Sequence, residues 1–431
     1  REEVRASLAD CLDGIDPERT ASILTDATDA VLGGALTVAT GLVIAQRDGV
    51  EAVAGGLGAD GCWEAALARH AIVAMGRLGG REIGYASDAD VLFVHEARDG
   101  ADDAAAAQEA EAVAKQVVGL LASARPHPLE VDSDLRPEGR QGVMSRSLAA
   151  YGEYYGRWAA LWERQALLRA RACAGDRELG GRFEELINPL RWAEGGLSTQ
   201  DLREIRRIKA RVETERLPRG INPVRHLKLG PGGLSDVEWS AQVLQLAHAG
   251  QITGLRTTST IAALQAAVQG GLLSADDGGV LVAAWILASR LRCAIVLGTG
   301  RASGPRSQVL PVQIREIRLV GRLIGLGSGR ERELEDIYRR SARHTRTVAE
   351  RIVFADGGLQ ESPSSASSPS TSTSAARDQA PSSAPGRSAA PAGKTRKRPR
   401  RDAGTTGTMR SRGTGRNRAT RRRPEGPYPW S

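Results

Sequence analysis

The strongest constraint on the fold of this sequence is a pair of apolar runs separated by a glycine-rich turn. The first run, "HAIVAMG" at 70–76, stops in glycines, and the second, "DADVLFVHE" at 88–96, is rich in Val and Leu. Short apolar runs bounded by turn residues are typical of buried strands. Helical patterns are found at 18–47 and 103–123, and "PLEVD" at 128–132 predicts a third strand. Strands that alternate with helices indicate an α/β domain.

Beyond about residue 180 the strand patterns fade and helix starts recur. Three serines, each with an acidic residue three positions later, predict capped helix N-termini. These pairs are Ser198 with Asp201, Ser235 with Glu238, and Ser274 with Asp277. The sequence therefore predicts an α/β domain at 1–182 followed by an all-α helical bundle at 183–356.

Residues 357–431 differ sharply in composition from the rest of the chain. Ser, Pro, Ala and Thr dominate first, and basic runs follow at 394–401 and 421–423. Such a segment has too little apolar surface to offset the entropy lost on folding. We therefore predict a disordered basic tail.

The positive charge of the chain is concentrated in this tail. The sequence has 59 Lys and Arg against 51 Asp and Glu, and residues 357–431 hold 15 of the former and 4 of the latter. The tail thus carries +11 and residues 1–356 carry −3. A nucleic-acid-binding protein is an alternative interpretation, but it would act through the tail and its binding would weaken steeply with salt.

Cysteine and hydropathy patterns limit the class of protein further. The cysteines Cys11, Cys62, Cys173 and Cys293 are far apart, which argues against a zinc ribbon and against a disulfide framework. No uninterrupted run of 18 apolar residues and no signal peptide is found. We expect a cytoplasmic location and no membrane partner.

The densest chemical signal is "GRLGGREIGYASDADVLF" at 76–93. Gly79 and Gly80 follow the first strand, where backbone amides can approach an anion without interference from Cβ atoms. Asp88 and Asp90 open the second strand and project from one face, because alternate strand residues share a face. Hard oxygen ligands beside a phosphate-binding turn predict a magnesium–nucleotide site.

A third carboxylate, Asp132, ends the third predicted strand, and "LRPEGR" after it offers Arg136 and Arg140 as phosphate partners. Two divalent cations held by the three aspartates would stabilise in-line attack on a phosphoryl centre. Asp132 would also accept the proton of the attacking hydroxyl. A Gly-Gly pair or an Asp-x-Asp alone is usually structural, and neither a P-loop nor a Rossmann fingerprint matches. The order of the parts, with Ser87 completing Ser-Asp-x-Asp, favours a site.

Five segments in order resemble the glutamine synthetase adenylyltransferases, members of the polymerase-β-like nucleotidyltransferase superfamily. They are "AMGRLGGREIGYASDADVLFVHE", "LEVDSDLRPEGRQG", "WERQALLRARACAGD", "EIRRIKARVETERLP" and "HLKLGPGGLSDVEW". The resemblance implies the polymerase-β-like α/β fold and Mg²⁺-dependent transfer of AMP from ATP to a tyrosine of glutamine synthetase. It also implies a PII-type signalling protein as a further partner.

The resemblance assigns the Gly-Gly pair to the phosphate side of the site, with Ser87 beside it. It assigns the Asp-x-Asp pair to the metal and Asp132 to the third carboxylate. Many relatives have arginine where this sequence has Asp134, which makes Asp134 an alternative third ligand. We prefer Asp132 because it directly follows the strand residue Val131.

Members of this family carry two nucleotidyltransferase halves in tandem, one that attaches AMP and one that removes it by phosphorolysis. This sequence resembles the attaching half in "EIRRIKARVETERLPRG" and "SDADVLFVHE", and its start without methionine indicates a fragment. We therefore expect AMP attachment. AMP removal is the alternative enzyme activity, and a catalytically silent docking fragment is another alternative.

Two segments have competing interpretations. In "KLGPGGLSDVEW", Lys228 and Asp236 are candidates for the active-site cleft, whereas Ser235 with Glu238 is better explained as the capping box of a helix. The segment "WERQALLRARACAGD" at 162–176 predicts a packing helix. From this helix either Arg169 or Arg171 would reach a phosphate.

Overall fold

A five-stranded sheet is the centre of the N-terminal part of the computed structural model, which describes residues 1–49, 64–125, 128–304 and 306–354. Its strands are β1 (Ala68–Ala74), β2 (Ala89–Ala97), β3 (Val131–Asp132), β4 (Ser145–Ser147) and β5 (Arg171–Gly175). Strand β1 pairs antiparallel with β2 and β5, and β2 pairs in parallel with β3 and β4. The prediction of an α/β domain is confirmed.

Twelve helices of seven or more residues accompany the sheet in the described segments. Before β5 they are α1 (Glu2–Asp13), α2 (Pro17–Asp48), α3 (Asp103–Ser123), α4 (Leu148–Trp158) and α5 (Leu161–Leu167). After β5 they are α6 (Arg177–Arg191), α7 (Thr199–Glu215), α8 (Leu234–His248), α9 (Thr260–Gln269), α10 (Ala275–Thr299), α11 (Ile314–Leu323) and α12 (Leu334–Val353). From Arg177 onward no described segment forms a strand of the sheet, so the predicted change from α/β to helical structure is confirmed.

The period of two along the central strands divides their side chains between two apolar layers. Ile72 and Phe93 join the layer that includes α2 and α3, whereas Val73 and Leu92 face α4 and α6. The sheet is therefore covered on both faces.

Local sequence explains the boundaries of the longest helix. Asp16 accepts hydrogen bonds from the amides of Glu18 and Arg19, and Pro17 occupies the first helical position, where its missing N–H is not needed. Gly49 ends the helix with φ +91°. The predictions of helices at 18–47 and 103–123 are confirmed by α2 and α3.

The capping predictions have mixed outcomes. Ser198 and Asp201 form the predicted reciprocal capping box of α7, and Ser274 accepts the amide of Asp277 at the start of α10. The predicted box of Ser235 with Glu238 is wrong, because Gly233 is the N-cap of α8 and makes no side-chain cap. Glu238 is instead held by an ion pair.

One helix prediction and one strand prediction also need correction. The packing helix predicted at 162–176 ends at Leu167, and Arg171–Gly175 is the edge strand β5. The strand predicted at 128–132 is reduced to Val131–Asp132, since only these two residues pair with β2.

Helices α2 and α10 are long and apolar enough to cross a membrane by length and composition alone, with mean hydropathies of 1.6 and 2.0. About 33% and 50% of these segments is buried inside the structure. Core helices of globular proteins pass the same test, so this observation is weak evidence for a membrane span. The expectation of no membrane partner stays a prediction.

Several sequence predictions fall outside the described residues. The tail at 357–431 and Cys62 belong to this group. The other three cysteines, Cys11, Cys173 and Cys293, are free thiols.

Two buried histidines predict acid sensitivity of the fold. Burial lowers the pKa of both His95 and His226 to about 4, with smaller contributions from His70 and from Lys228 respectively. The folded state thus favours the neutral form of each histidine ring. The stability that each neutral ring contributes is fully present above pH 6.5, the ordinary pKa of histidine, and is lost as the pH falls toward 4.

We expect each ring to contribute a loss of about 2 kcal/mol in unfolding free energy between pH 7.5 and 5. Urea denaturation across this range would measure it. In His226→Asn an amide oxygen can replace Nδ1, which accepts the Leu229 amide at 3.0 Å. The pH slope of this variant should be shallower, and an unchanged slope would contradict the interpretation.

Candidate active site

The parallel pairing of β2 with β3 places two of the predicted aspartates side by side. Asp90 is the register partner of Asp132, so the two residues lie on adjacent strands. Asp88 precedes β2 and is exposed, and it is the residue two positions before Asp90. The three predicted carboxylates therefore belong to one edge of the sheet.

Electrostatics confirm that these carboxylates influence one another. Burial, followed by the charge of Asp88, raises the pKa of Asp90 to about 7, and Asp132 contributes in the same direction. Lys228 opposes this shift. Burial and the charges of Asp134 and Asp88 also raise the pKa of Asp132. Burial and the neighbouring carboxylates thus disfavour the ionised forms of Asp90 and Asp132, and a bound cation would favour them.

The donor chemistry of this edge fits a hard divalent cation, since Mg²⁺ is bound by carboxylate oxygens and keeps several waters. Among the described residues, however, no three His, Cys, Asp or Glu side chains form a group that could hold a metal ion as they stand. Asp88 is exposed, so its side chain is free to change rotamer.

The glycines near this edge are required by close packing. A Cβ atom on Gly76 would lie 2.1 Å from Asp90 Oδ2, so Gly76 makes room for that carboxylate. A Cβ atom on Gly79 would lie 1.7 Å from the carbonyl oxygen of Arg169, and one on Gly80 would lie 2.1 Å from its Nη1. The sequence singled out Gly79 and Gly80, whereas Gly76 touches the carboxylate.

The amides of the Gly-Gly pair already have partners inside the protein. The Gly79 amide donates to Met75 O at 2.7 Å, and the Gly80 amide donates to Gly76 O at 3.2 Å. Both bonds belong to a single helical turn, Gly76–Gly79. A phosphate contact of these two glycines stays a prediction.

The other predicted phosphate contacts lie in two loops. Ser87 Oγ accepts the amide of Gly84 at 3.1 Å and lines a cleft described below. Arg136 is buried and donates to Ser133 O at 2.8 Å and to Gly142 O at 3.2 Å, so it holds its own loop together. Arg140 is exposed and donates to Asp134 at 2.6 Å. Arg140 thus lies near the carboxylates, whereas Arg136 makes its hydrogen bonds within its own loop.

Arg169 is the centre of a buried network that the sequence did not reveal. Its side chain is 3% exposed and donates to Glu82 at 2.6 Å and to Glu238 at 3.1 Å. It also donates to Thr258 O and to Thr260 Oγ1. Glu82 follows the Gly-Gly turn, while Glu238 and Thr260 belong to α8 and α9. The network therefore joins the turn beside the carboxylates to the helical region.

Arg171 and the candidate Asp236 also form ion pairs inside the protein. Arg171 donates to both carboxylate oxygens of Asp29 on α2. Asp236 is buried against Lys209, 2.5 Å from Nζ, and accepts the Gly232 amide at 2.7 Å. These contacts give Arg171 and Asp236 structural roles.

A cleft of about 910 Å³ opens beside the sheet edge, within the usual range for small-molecule sites. The turn residues Ser87 and Asp88 line it, as do Lys228 and residues of α10. The candidate Lys228 thus lines the cleft.

Comparison with known proteins adds to this geometry. The family model described as glutamate-ammonia ligase adenylyltransferase matches residues 1–186, and that of GlnD PII-uridylyltransferase matches residues 204–353. A protein of Streptomyces coelicolor is 54% identical over 289 residues, which is 67% of this chain and 28% of the relative. One of Cutibacterium acnes is 41% identical over 355 residues, or 82% of this chain and 33% of the relative. Both are named bifunctional glutamine synthetase adenylyltransferase/adenylyl-removing enzyme.

The chain belongs to the glutamine synthetase adenylyltransferase family. The resemblance inferred from the five motifs is confirmed. The chain spans about 30% of the length of the curated adenylyltransferases that it matches. The activity of the complete relatives is therefore a basis for a proposal about this chain.

Proposed function

We propose that this chain transfers AMP from ATP to a tyrosine hydroxyl of glutamine synthetase. The observation that carries the proposal is the pairing of Asp90 with Asp132, with Asp88 immediately before the strand and lining a nucleotide-sized cleft. Family membership supports the choice of adenylyl transfer over other nucleotidyl transfers. The PII-type partner belongs to the same proposal, supported by the second family match.

The reaction is a displacement at the α-phosphorus of ATP. The tyrosine oxygen forms a bond to this phosphorus, and the bond to the bridging oxygen of the β-phosphate breaks, so pyrophosphate leaves. The hydroxyl proton passes to Asp132, whose carboxylate lies at the end of β3 and is half-buried. Because such transition states spread negative charge over phosphoryl oxygens, positioning and electrostatic stabilisation provide most of the rate enhancement.

Asp88, Asp90 and Asp132 would hold the Mg²⁺ of this reaction. When bound, Mg²⁺ would neutralise charge on the phosphates and orient them for in-line attack. The protein itself keeps Asp90 in place: Gly76 leaves room for its carboxylate, and the Asp90 carbonyl accepts the Met75 amide at 2.8 Å. The Asp134 amide donates to Asp132 Oδ1 at 2.7 Å and so fixes one oxygen of the third carboxylate.

Incubation of the chain with α-labelled ATP, Mg²⁺ and glutamine synthetase should label glutamine synthetase and release pyrophosphate. The same preparation, given adenylylated glutamine synthetase and phosphate, should release little ADP. Predominant ADP release would instead assign the AMP-removing activity. Absence of both reactions would contradict the proposal, and transfer that persists in excess EDTA would contradict the Mg²⁺ requirement.

A further inference from the structure

Helix α10 forms one wall of the cleft and turns a single face toward it. Trp285, Ser289, Arg292 and Val296 line the cleft, and their spacing of three and four residues places them on one side of the helix. Arg77, from the helical turn after β1, also lines the cleft, with its guanidinium carbon 5.6 Å from the centre of the Trp285 ring. Two arginines and a serine thus line the cleft together with Trp285, and Arg77 lies against its ring.

Three buried atoms of this wall have no hydrogen-bond partner among the described residues. They are Arg77 Nη1, Ser289 Oγ and Arg292 Nη1. Ser289 is only 6% exposed. A buried donor without an acceptor is destabilising, and native proteins leave few of them. A site with three such atoms on one wall is therefore built for a further group.

The chemistry of the three atoms identifies that group. Arginine N–H groups only donate hydrogen bonds, and a serine hydroxyl donates readily. The missing partner must therefore supply several acceptors. The cleft lining as a whole is mixed in charge, with the cations Arg77, Arg81, Arg216, Lys228 and Arg292 beside the carboxylates Glu18, Glu82, Asp88 and Glu130. An anion is therefore favoured only where the arginines of this wall meet. A chain of phosphates offers many charged oxygens, and arginine binds such oxygens with strong charge-assisted hydrogen bonds.

The position of Arg77 connects this wall to the carboxylates. Arg77 directly follows Gly76, the glycine that makes room for Asp90 Oδ2. Arg77 Nε donates to Glu82 O at 2.7 Å, which fixes the guanidinium, while Nη1 has no partner among the described residues. An anion bound here would thus begin next to the aspartates.

We propose that Arg77, Ser289 and Arg292 bind the phosphate chain of a nucleoside triphosphate. This assignment rests on the proposed function and places the phosphates against α10, whereas Arg136 serves its own loop. The three donors would bond to oxygens of the β- and γ-phosphates, the part that leaves as pyrophosphate. In the described segments of the chain no other group accepts a hydrogen bond from these three atoms.

Isothermal titration of the full chain with ATP, with pyrophosphate and with adenosine would test the assignment. We expect Arg292→Gln to weaken ATP and pyrophosphate binding about 10-fold and Ser289→Ala about 3-fold. Adenosine binding should be unchanged. The matched control is Arg290→Gln on the same helix. Arg290 donates to Ile324 O and also has a buried Nε without a partner among the described residues, but it does not line the cleft, so the affinities of this variant should stay within about twofold of wild type.

Ser289→Ala also separates binding from structure. Because Ser289 Oγ makes no hydrogen bond to the described residues, its loss should leave the melting temperature unchanged. A clear destabilisation would show a structural role and contradict the assignment. Unchanged ATP and pyrophosphate affinities in both cleft variants would overturn it and leave water as the partner of these atoms.

The two proposals fail in different ways. Wild-type AMP transfer with unaltered pyrophosphate binding in Arg292→Gln would overturn the α10 site alone. If the wild-type chain transferred no AMP but the variants bound pyrophosphate more weakly than wild type, the α10 site would be supported and the proposed reaction contradicted.

Discussion

Replacement of Asp90 by asparagine should lower AMP transfer to glutamine synthetase by about 10³-fold or more. The substitution keeps the shape of the side chain and removes one negative charge from the pair that Asp90 forms with Asp132. Initial rates with labelled ATP would measure the effect. The fold should tolerate the amide, because burial and the charge of Asp88 already disfavour the ionised carboxylate and raise the pKa of Asp90 to about 7.

A control on the same strand distinguishes this effect from general damage to β2. Glu96 is near the other end of β2 and pairs with Arg182 at 2.7 Å on the surface. Glu96→Gln should retain transfer within about twofold, since substitutions of this kind rarely change the fold. If Asp90→Asn kept more than a tenth of the wild-type rate, the assignment of Asp90 to the reaction would be wrong.

The parts of the fold that local patterns determine could be predicted. The runs at 70–76 and 88–96 are apolar enough to identify β1 and β2, and helical patterns at 18–47 and 103–123 identify α2 and α3. Strand β5 has the sequence "RACAG", which carries little strand pattern. It is a strand because it pairs with β1, and pairing between distant segments leaves little trace in either sequence.

In the candidate site, too, local patterns predict some features, whereas others depend on contacts between distant segments. The spacing of Asp88 and Asp90 follows from strand geometry, but the contact of Asp90 with Asp132 depends on the parallel register of β2 and β3. Arg169 and Glu82 meet from positions 87 residues apart. The sequence predicts a packing helix around Arg169 and leaves either Arg169 or Arg171 as a possible phosphate partner. Only the packing of the helices against the turn shows that Arg169 is satisfied within the protein.

Replacement of Arg169 by methionine should lower the free energy of unfolding by about 3–5 kcal/mol. The guanidinium compensates the charge of Glu82, whose side chain is 10% exposed, and also bonds to Glu238 and Thr260. Methionine would leave the Glu82 carboxylate buried with only its bonds to the start of α9. Urea denaturation at constant pH would measure the loss.

Arg182→Met is the matched control for Arg169→Met. Arg182 donates two bonds of 2.7 Å to Glu96, but both side chains are substantially exposed, at 43% and 31%. An exposed ion pair contributes at most about 1 kcal/mol to the free energy of unfolding. Comparing the two variants therefore shows whether the loss of stability depends on the burial of the ion pair or only on the number of its hydrogen bonds. Arg169→Met combined with Glu82→Leu should recover part of the loss, because the Glu82 carboxylate is then no longer buried without its arginine. Equal effects of Arg169→Met and Arg182→Met would contradict the conclusion that the buried network of Arg169 stabilises the packing of the Gly-Gly turn against the helices.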